Sequence, residues 1–159
     1  MNQNFMEYLT ALFTSKVFLA TLFSWFIAQL MKSIIEIIKN KPKSAIKILT
    51  YIFWTTGGMP SSHTAVVTAL ATSIGFTLGI ADPLFAISFF YGLLVIRDAM
   101  GVRRAAGIQA HTLNRLIAVL KKERPLRIKL VKEIHGHSTA EVSVGILIGF
   151  FIAVAFCSL

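Results

Sequence analysis

Long apolar stretches separated by short basic ones are the feature that most restricts how this chain can fold. Four stretches are apolar enough to be membrane spans, at about residues 17–38, 65–80, 84–96 and 138–159. A soluble domain needs more charge to cover its surface than the 14% of charged residues found here. The pattern therefore predicts an all-α integral membrane protein with about four transmembrane helices, in a single domain over residues 1–159.

Two further segments are predicted to be helical without spanning. Residues 48–54 are apolar but too short to cross a bilayer, so we expect a re-entrant or interfacial piece there. Residues 108–132 place apolar side chains at helical spacing among basic ones, which predicts an amphipathic helix on the membrane surface, broken at Pro125. The net charge of +9 flanks the apolar stretches, so the expected partner is anionic lipid and not nucleic acid. Self-association stays open.

The loop charges predict how the chain crosses the membrane. Segments 39–47 and 97–132 hold four and ten Lys or Arg residues, whereas the turn at Ala81 and Asp82 holds none. By the positive-inside tendency both basic segments are cytoplasmic, in a plasma or inner membrane, with both ends of the chain outside. The unusual polar residues then collect on the cytoplasmic side. They are Lys32, Lys39, His63, Arg97, Asp98, Arg103, Arg104, His137 and Glu141.

This polar group is a candidate functional site, because ionisable residues near membrane spans are costly. Residues 57–64, G-G-M-P-S-S-H-T, precede an apolar run and predict a helix N-terminus that aims N–H groups at an anion beside His63. Histidines can act as nucleophile and general acid near neutral pH, and cations bind phosphate. No carboxylate or cysteine cluster typical of a metal site is present in the sequence, so we expect no metal and no other cofactor.

Each of these residues also has a purely structural interpretation. Segment 57–64 can be a glycine loop with a helix cap, and Lys32 and Lys39 can be snorkelling lysines at a span end. At least one of the three arginines between 97 and 104 can be a simple cytoplasmic anchor. Ser138 and Glu141 fit a capping box, S-x-x-E, in which the carboxylate only caps its helix. Alternatively, Glu141 meets the histidine four residues before it and fixes the tautomer of that imidazole.

In their order and spacing, the motifs resemble the type 2 phosphatidic acid phosphatase superfamily, which includes acid phosphatases and vanadium haloperoxidases. P-S-S-H at 60–63 resembles the P-S-G-H motif of that superfamily, and H-S-T-A-E at 137–141 is similar to its H-x3-D motif. K-x6-K-N at 32–40 stands where K-x6-R-P would be. R-D-A-M-G-V-R-R-A-A-G-I-Q-A at 97–110 and G-H-S-T-A-E-V at 136–142 resemble the divergent branch more specifically.

The resemblance extends over residues 29–145, with two departures. Lys39 precedes asparagine, so the Arg-Pro pair of the first motif is missing. Val131 stands six residues before the second motif histidine, where the superfamily has an arginine. Arg103 or Arg104 can fill that role from a different element.

The resemblance implies a metal-independent lipid phosphatase that works through a phosphohistidine. It implies that His137 attacks phosphorus, that Glu141 orients it, and that His63 protonates the leaving alkoxide and then activates water. The phosphate would be bound by Lys32, Lys39, Ser61, Ser62, Arg97, Arg103 and Arg104. Expected substrates are phosphatidylglycerophosphate or phosphatidic acid, or an isoprenyl diphosphate. The competing hypothesis is a non-enzymatic transporter or anionic-lipid-binding scaffold.

Overall fold

The structure, a computed structural model, describes residues 3–42, 44, 58–124, 128–133 and 136–158. This part of the chain contains six α-helices and no strand, which confirms the predicted all-α class. In chain order the helices are α1 Gln3–Thr14, α2 Lys16–Asn40, α3 Ser62–Thr77, α4 Pro83–Met100, α5 Val102–Glu123 and α6 Thr139–Ser158.

Three helices begin at caps that their own sequence supplies. Ser15, Ser61 and Asp82 lie in extended backbone before α2, α3 and α4, and each side chain accepts a hydrogen bond from an amide of the first turn. Pro83 then opens α4, at a position where its missing N–H would have had no helical partner. The start of α3, which carries His63, is therefore fixed by local sequence.

Helix α3 is the centre of the bundle and packs against α2, α4 and α6. Its buried face carries small side chains such as Ala65 and Ala69. On α6, a Cβ added to Gly145 would lie 2.6 Å from the carbonyl oxygen of Ser61, and one added to Gly149 would collide with that of Ala65. Glycine at these positions lets the two backbones approach closely, as membrane helices often do.

The outer surface of the bundle carries larger side chains than its core. Along α2, every fourth residue from Ala20 through Ser24 to Ala28 is fully buried. By contrast, Phe26 and Phe151 point outward with 55% and 63% of their surface exposed. This distribution suits a lipid environment, in which apolar side chains gain little from leaving the surface and close packing needs small residues.

Three stretches of the described chain are long and apolar enough to cross a membrane: α2, a window within the helical run Pro83–Lys122, and α6. The fourth predicted span, 65–80, corresponds to α3, which has 16 residues. A helix of that length is about 24 Å long, shorter than a hydrocarbon core of about 30 Å. Because α3 is surrounded by α2, α4 and α6, it does not need to meet the lipid as they do.

The amphipathic helix differs in extent from its prediction. Helix α5 begins at Val102, six residues before the predicted start, and ends at Glu123, two residues before Pro125, where the sequence predicted a break; residues 128–133 are not helical. Beyond the break, the Asn114 amide holds the chain against α5, since it donates to the Val131 carbonyl at 2.9 Å and accepts from the Val131 N–H at 2.8 Å. The chain thus runs back along α5. The predicted interfacial piece at 48–54 lies outside the described residues.

Candidate active site

His137 lies two residues before the first residue of α6 and is almost enclosed, with 6% of its surface exposed. Its Nδ1 is 3.0 Å from Oε2 of Glu141. An ionised carboxylate can only accept, so Nδ1 is the donor in this bond, and in a neutral imidazole Nε2 then keeps its lone pair. The main-chain N–H of His137 donates to the Ala99 carbonyl at 3.1 Å. Side-chain and main-chain hydrogen bonds together fix the position and orientation of His137.

The Glu141 carboxylate also closes the capping box of α6. The Ser138 N–H donates to Oε2 of Glu141 at 3.1 Å, and the Glu141 N–H donates to the Ser138 hydroxyl at 3.3 Å. The sequence left a cap and a histidine partner as alternative roles for this residue. Both contacts are present, and they share one carboxylate oxygen, so the start of α6 and the orientation of the imidazole are fixed together.

His63, in the first turn of α3, is the second histidine of the site. Its ring centroid is 6.3 Å from that of His137, and the two planes are inclined by 51°. The His63 ring is exposed and interacts electrostatically with Arg103, His137 and Lys32. The two histidines, one at the start of α3 and the other at the start of α6, therefore lie close together.

A main-chain hydrogen bond joins the starts of α3 and α6. The Ser61 N–H donates to the Glu141 carbonyl at 3.1 Å. The buried Ser61 hydroxyl accepts from the N–H and the hydroxyl of Thr64, at 3.4 and 2.9 Å, so it is engaged within its own helix. Ser62 is also buried, and the amides of Ser62 and His63 belong to the first turn, where a helix offers N–H groups to an anion.

Lys32 is the predicted cation that the fold encloses most completely, with 2% of its surface exposed. It follows Ala28 by one turn on the buried stripe of α2 and interacts electrostatically with Glu141 and Glu36. This burial contradicts a snorkelling role, in which the ammonium group would reach water. A buried ammonium needs an anionic partner, and the carboxylates of Glu141 and Glu36 act on it here.

Lys39 has a different environment. It is exposed in the last turn of α2, about 10 Å farther along the helix axis than Lys32. The structure does not bring Lys39 into the histidine group.

The three predicted arginines are also placed differently. Nε of Arg103 donates to Oδ2 of Asp98 at 2.8 Å, and the Arg103 charge acts on His63. Arg97 is exposed in the last turn of α4. The side chain of Arg104 is exposed as well, but its backbone supports the site: a Cβ on Gly136 would lie 2.5 Å from the Arg104 Cα.

Sequence reasoning gave no role to Asp98 or to the Gly136 contact. The Asp98–Arg103 pair spans five residues across the break at Gly101, which separates α4 from α5, so it does not have the spacing of a helical ion pair. The glycine before His137 was a readable signal, because a close backbone approach requires a residue without a side chain.

The comparison with known families agrees with the arrangement of these motifs. Residues 13–152 match the model of the Divergent PAP2 family. The chain belongs to this family. It is 34% identical over 152 residues to an uncharacterized membrane protein, YuiD, of Bacillus subtilis (strain 168). The aligned region covers 89% of this chain and 93% of the relative. No solved structure matches the chain.

Family membership confirms the resemblance drawn from the motifs, and the membrane relative and the three candidate spans identify this divergent PAP2 protein as an integral membrane protein. Within its described residues, no group of three or more His, Cys, Asp or Glu side chains is placed to hold a metal ion. Metal independence stays a prediction, which a chelator can test.

Proposed function

We propose that this divergent PAP2 protein is a membrane lipid phosphatase that hydrolyses a phosphate monoester through a phosphohistidine intermediate. The observation that supports this most strongly is the 3.0 Å hydrogen bond between His137 Nδ1 and Glu141, together with the 6.3 Å distance between the ring centroids of His63 and His137. A buried histidine whose ring is held by a carboxylate and a second histidine close beside it are the two groups that a double displacement needs.

The reaction follows from these positions. Nε2 of His137 forms a bond to phosphorus while the P–O bond to the lipid breaks, and protonated His63 gives its proton to the departing oxygen. Neutral His63 then takes a proton from water, whose oxygen attacks phosphorus and breaks the P–N bond. Inorganic phosphate and the original histidine are released. Lys32, Arg103 and the first-turn amides of α3 offset the charge on the phosphoryl oxygens in both steps.

The substrate we propose is a phospholipid with a terminal phosphate, of the phosphatidylglycerophosphate or phosphatidic acid type, and an isoprenyl diphosphate carries the same reactive group. The site is proposed to face the cytoplasm in a plasma or inner membrane. The basic segments 39–47 and 97–132 support this side, because the first follows Lys32 at the end of α2 and the second contains Arg103. The substrate phosphate would then lie on the inner leaflet.

Phosphate release from phosphatidic acid in vesicles tests the proposal. The purified protein is expected to keep full activity in excess chelator, since histidine and cationic groups supply the chemistry. Vanadate should inhibit, because it adopts the trigonal-bipyramidal geometry of phosphoryl transfer and binds more tightly than substrate. Loss of activity in chelator, with recovery on adding a divalent ion, would contradict the phosphohistidine scheme. Absence of phosphate release from every lipid phosphate would favour the scaffold hypothesis.

Cysteine labelling tests the orientation. Cys157 is the single native cysteine, so a Cys157→Ser background gives a clean reporter. Lys122→Cys on α5 and Ala81→Cys in the turn before α4 both replace exposed side chains. In intact cells an impermeant thiol reagent is expected to label position 81 and to leave 122 unmodified, and permeabilised cells should show both labelled. The reverse pattern in intact cells would place the site on the outer face.

A further inference from the structure

An apolar groove of about 680 Å³ lies between α3, α4 and α6. Its floor is made of small residues, Ala71 and Gly75 on α3 and Gly92 on α4. Its sides carry aromatic rings, among them Phe89 from α4 and Phe150 from α6. Because α4 and α6 both pack on α3, the groove is a channel with α3 as its base. Small residues along the base leave room for a slender apolar molecule.

The groove begins beside the candidate active site. Val67, one turn after His63, and Ile96, which directly precedes Arg97, line this end. From Val67 the lining continues along α3 to Phe76, nine residues farther, which is a distance of about 14 Å. One leaflet of hydrocarbon is half of about 30 Å. The groove therefore has the length of one lipid chain whose head group lies at the histidines.

We propose that this groove holds one acyl chain of the phosphomonoester lipid substrate while its phosphate lies between His63 and His137. This inference rests on the proposed function and adds a positioning element to it. Lipid tails are as apolar as the groove lining, so the chain gains little affinity by leaving the bilayer. Its contribution is orientation, because a displacement of about 1 Å at the reacting atoms lowers a rate about 100-fold.

A pair of matched alanine substitutions tests the groove. Ala71→Leu fills the floor, and Ala155→Leu makes the same change on an exposed face of α6 outside the groove. With phosphatidic acid carrying sixteen-carbon chains, Ala71→Leu is expected to lower kcat about tenfold or more. With nitrophenyl phosphate, which has no chain, both variants should match the unmodified protein within about twofold. Equal rates for the two variants on the long-chain lipid would overturn the inference.

Photo-crosslinking tests the same groove without relying on turnover. The unmodified protein is placed in phosphatidylcholine vesicles with a trace of a phosphonate analogue of phosphatidic acid that carries a diazirine in mid-chain. This probe is expected to label residues between Val67 and Phe76, and more strongly than phosphatidylcholine with the same diazirine chain. Equal labelling by both probes would assign the groove to bulk lipid. Absence of label between Val67 and Phe76 with either probe would show that no lipid chain occupies the groove. Either result would overturn the proposal.

The two experiments separate this inference from the proposed function. If the protein releases phosphate from lipids and Ala71→Leu behaves like Ala155→Leu, the proposed phosphatase function is supported and the proposed acyl-chain site is contradicted. If no lipid phosphate is hydrolysed but the phosphonate probe labels the groove selectively, the groove survives as a lipid site and the phosphatase does not.

Discussion

The His137→Ala protein is expected to form no phosphoenzyme and to lose phosphatase activity by a factor on the order of 10⁴–10⁶, because no nucleophile remains. The His63→Ala protein should differ with a substrate whose leaving group departs without a proton. With nitrophenyl phosphate it should release one equivalent of nitrophenol in a burst, since His137 can still be phosphorylated. Turnover after the burst should be slowed about 10²–10⁴-fold, because the base that activates water is gone.

Rapid-quench kinetics with nitrophenyl phosphate separate the two roles. His111→Ala serves as the matched control: His111 is exposed on α5, contacts Glu133 at 3.2 Å and lies outside the candidate site, so its loss should leave both phases unchanged. A burst from His137→Ala would reverse the assignment of nucleophile and acid. Complete inactivity of both variants, in folded protein that binds the substrate, would count against the division of roles.

Glu141→Gln is expected to lower activity by a factor on the order of 10²–10⁴ while leaving the stability of the protein nearly unchanged. Glutamine can still close the capping box with Ser138, so α6 keeps its start. It removes the negative charge that holds the Nδ1 proton of His137 and stabilises the imidazolium formed during the reaction. Activity and thermal unfolding measured on one preparation would report the two roles separately.

Glu141→Ala is the companion variant, since it removes both functions of the carboxylate. It should be as inactive as the glutamine variant and in addition less stable by about 1 kcal/mol, the usual contribution of a helix cap. If Glu141→Gln retained full activity, the carboxylate would serve only as a cap, and the orientation of His137 would have to come from its main-chain bond to Ala99.

The elements set by local patterns could be predicted from the sequence. Apolar runs located α2, α3, α4 and α6 within a few residues, because burial of a long apolar helix in lipid depends only on its own composition. The helix start at Ser61 was predictable for the same reason, since a cap is a local contact. Pro125 predicted the end of α5, but the path of residues 128–133 was not predictable, because the Asn114 side chain that holds Val131 is separated from it by 17 residues.

How far each polar side chain is buried could not be predicted from the sequence either. Lys32 and Lys39 are seven residues apart and so lie on nearly the same face of α2. Helical periodicity therefore does not tell which of the two is buried. Lys32 is buried and Lys39 is exposed because neighbouring helices begin beside Lys32 and not beside Lys39. In the same way, the Asp98–Arg103 pair depends on the turn at Gly101 between two helices, and helical periodicity carries no information about such a turn.

The close contact of α3 and α6 sets the distance between His63 and His137, which lie at the starts of these two helices. Main-chain atoms set the spacing of these helices, through the Ser61–Glu141 hydrogen bond and through Gly145 and Gly149, which bring the α6 backbone against that of α3. Gly149 lies eight residues beyond Glu141, about 12 Å from it along the helix. A single methyl group there would wedge the helices apart and widen the gap between the histidines. Under the proposed function, these two glycines keep the two histidines at their distance, whereas the lipid-facing side chains have no such role.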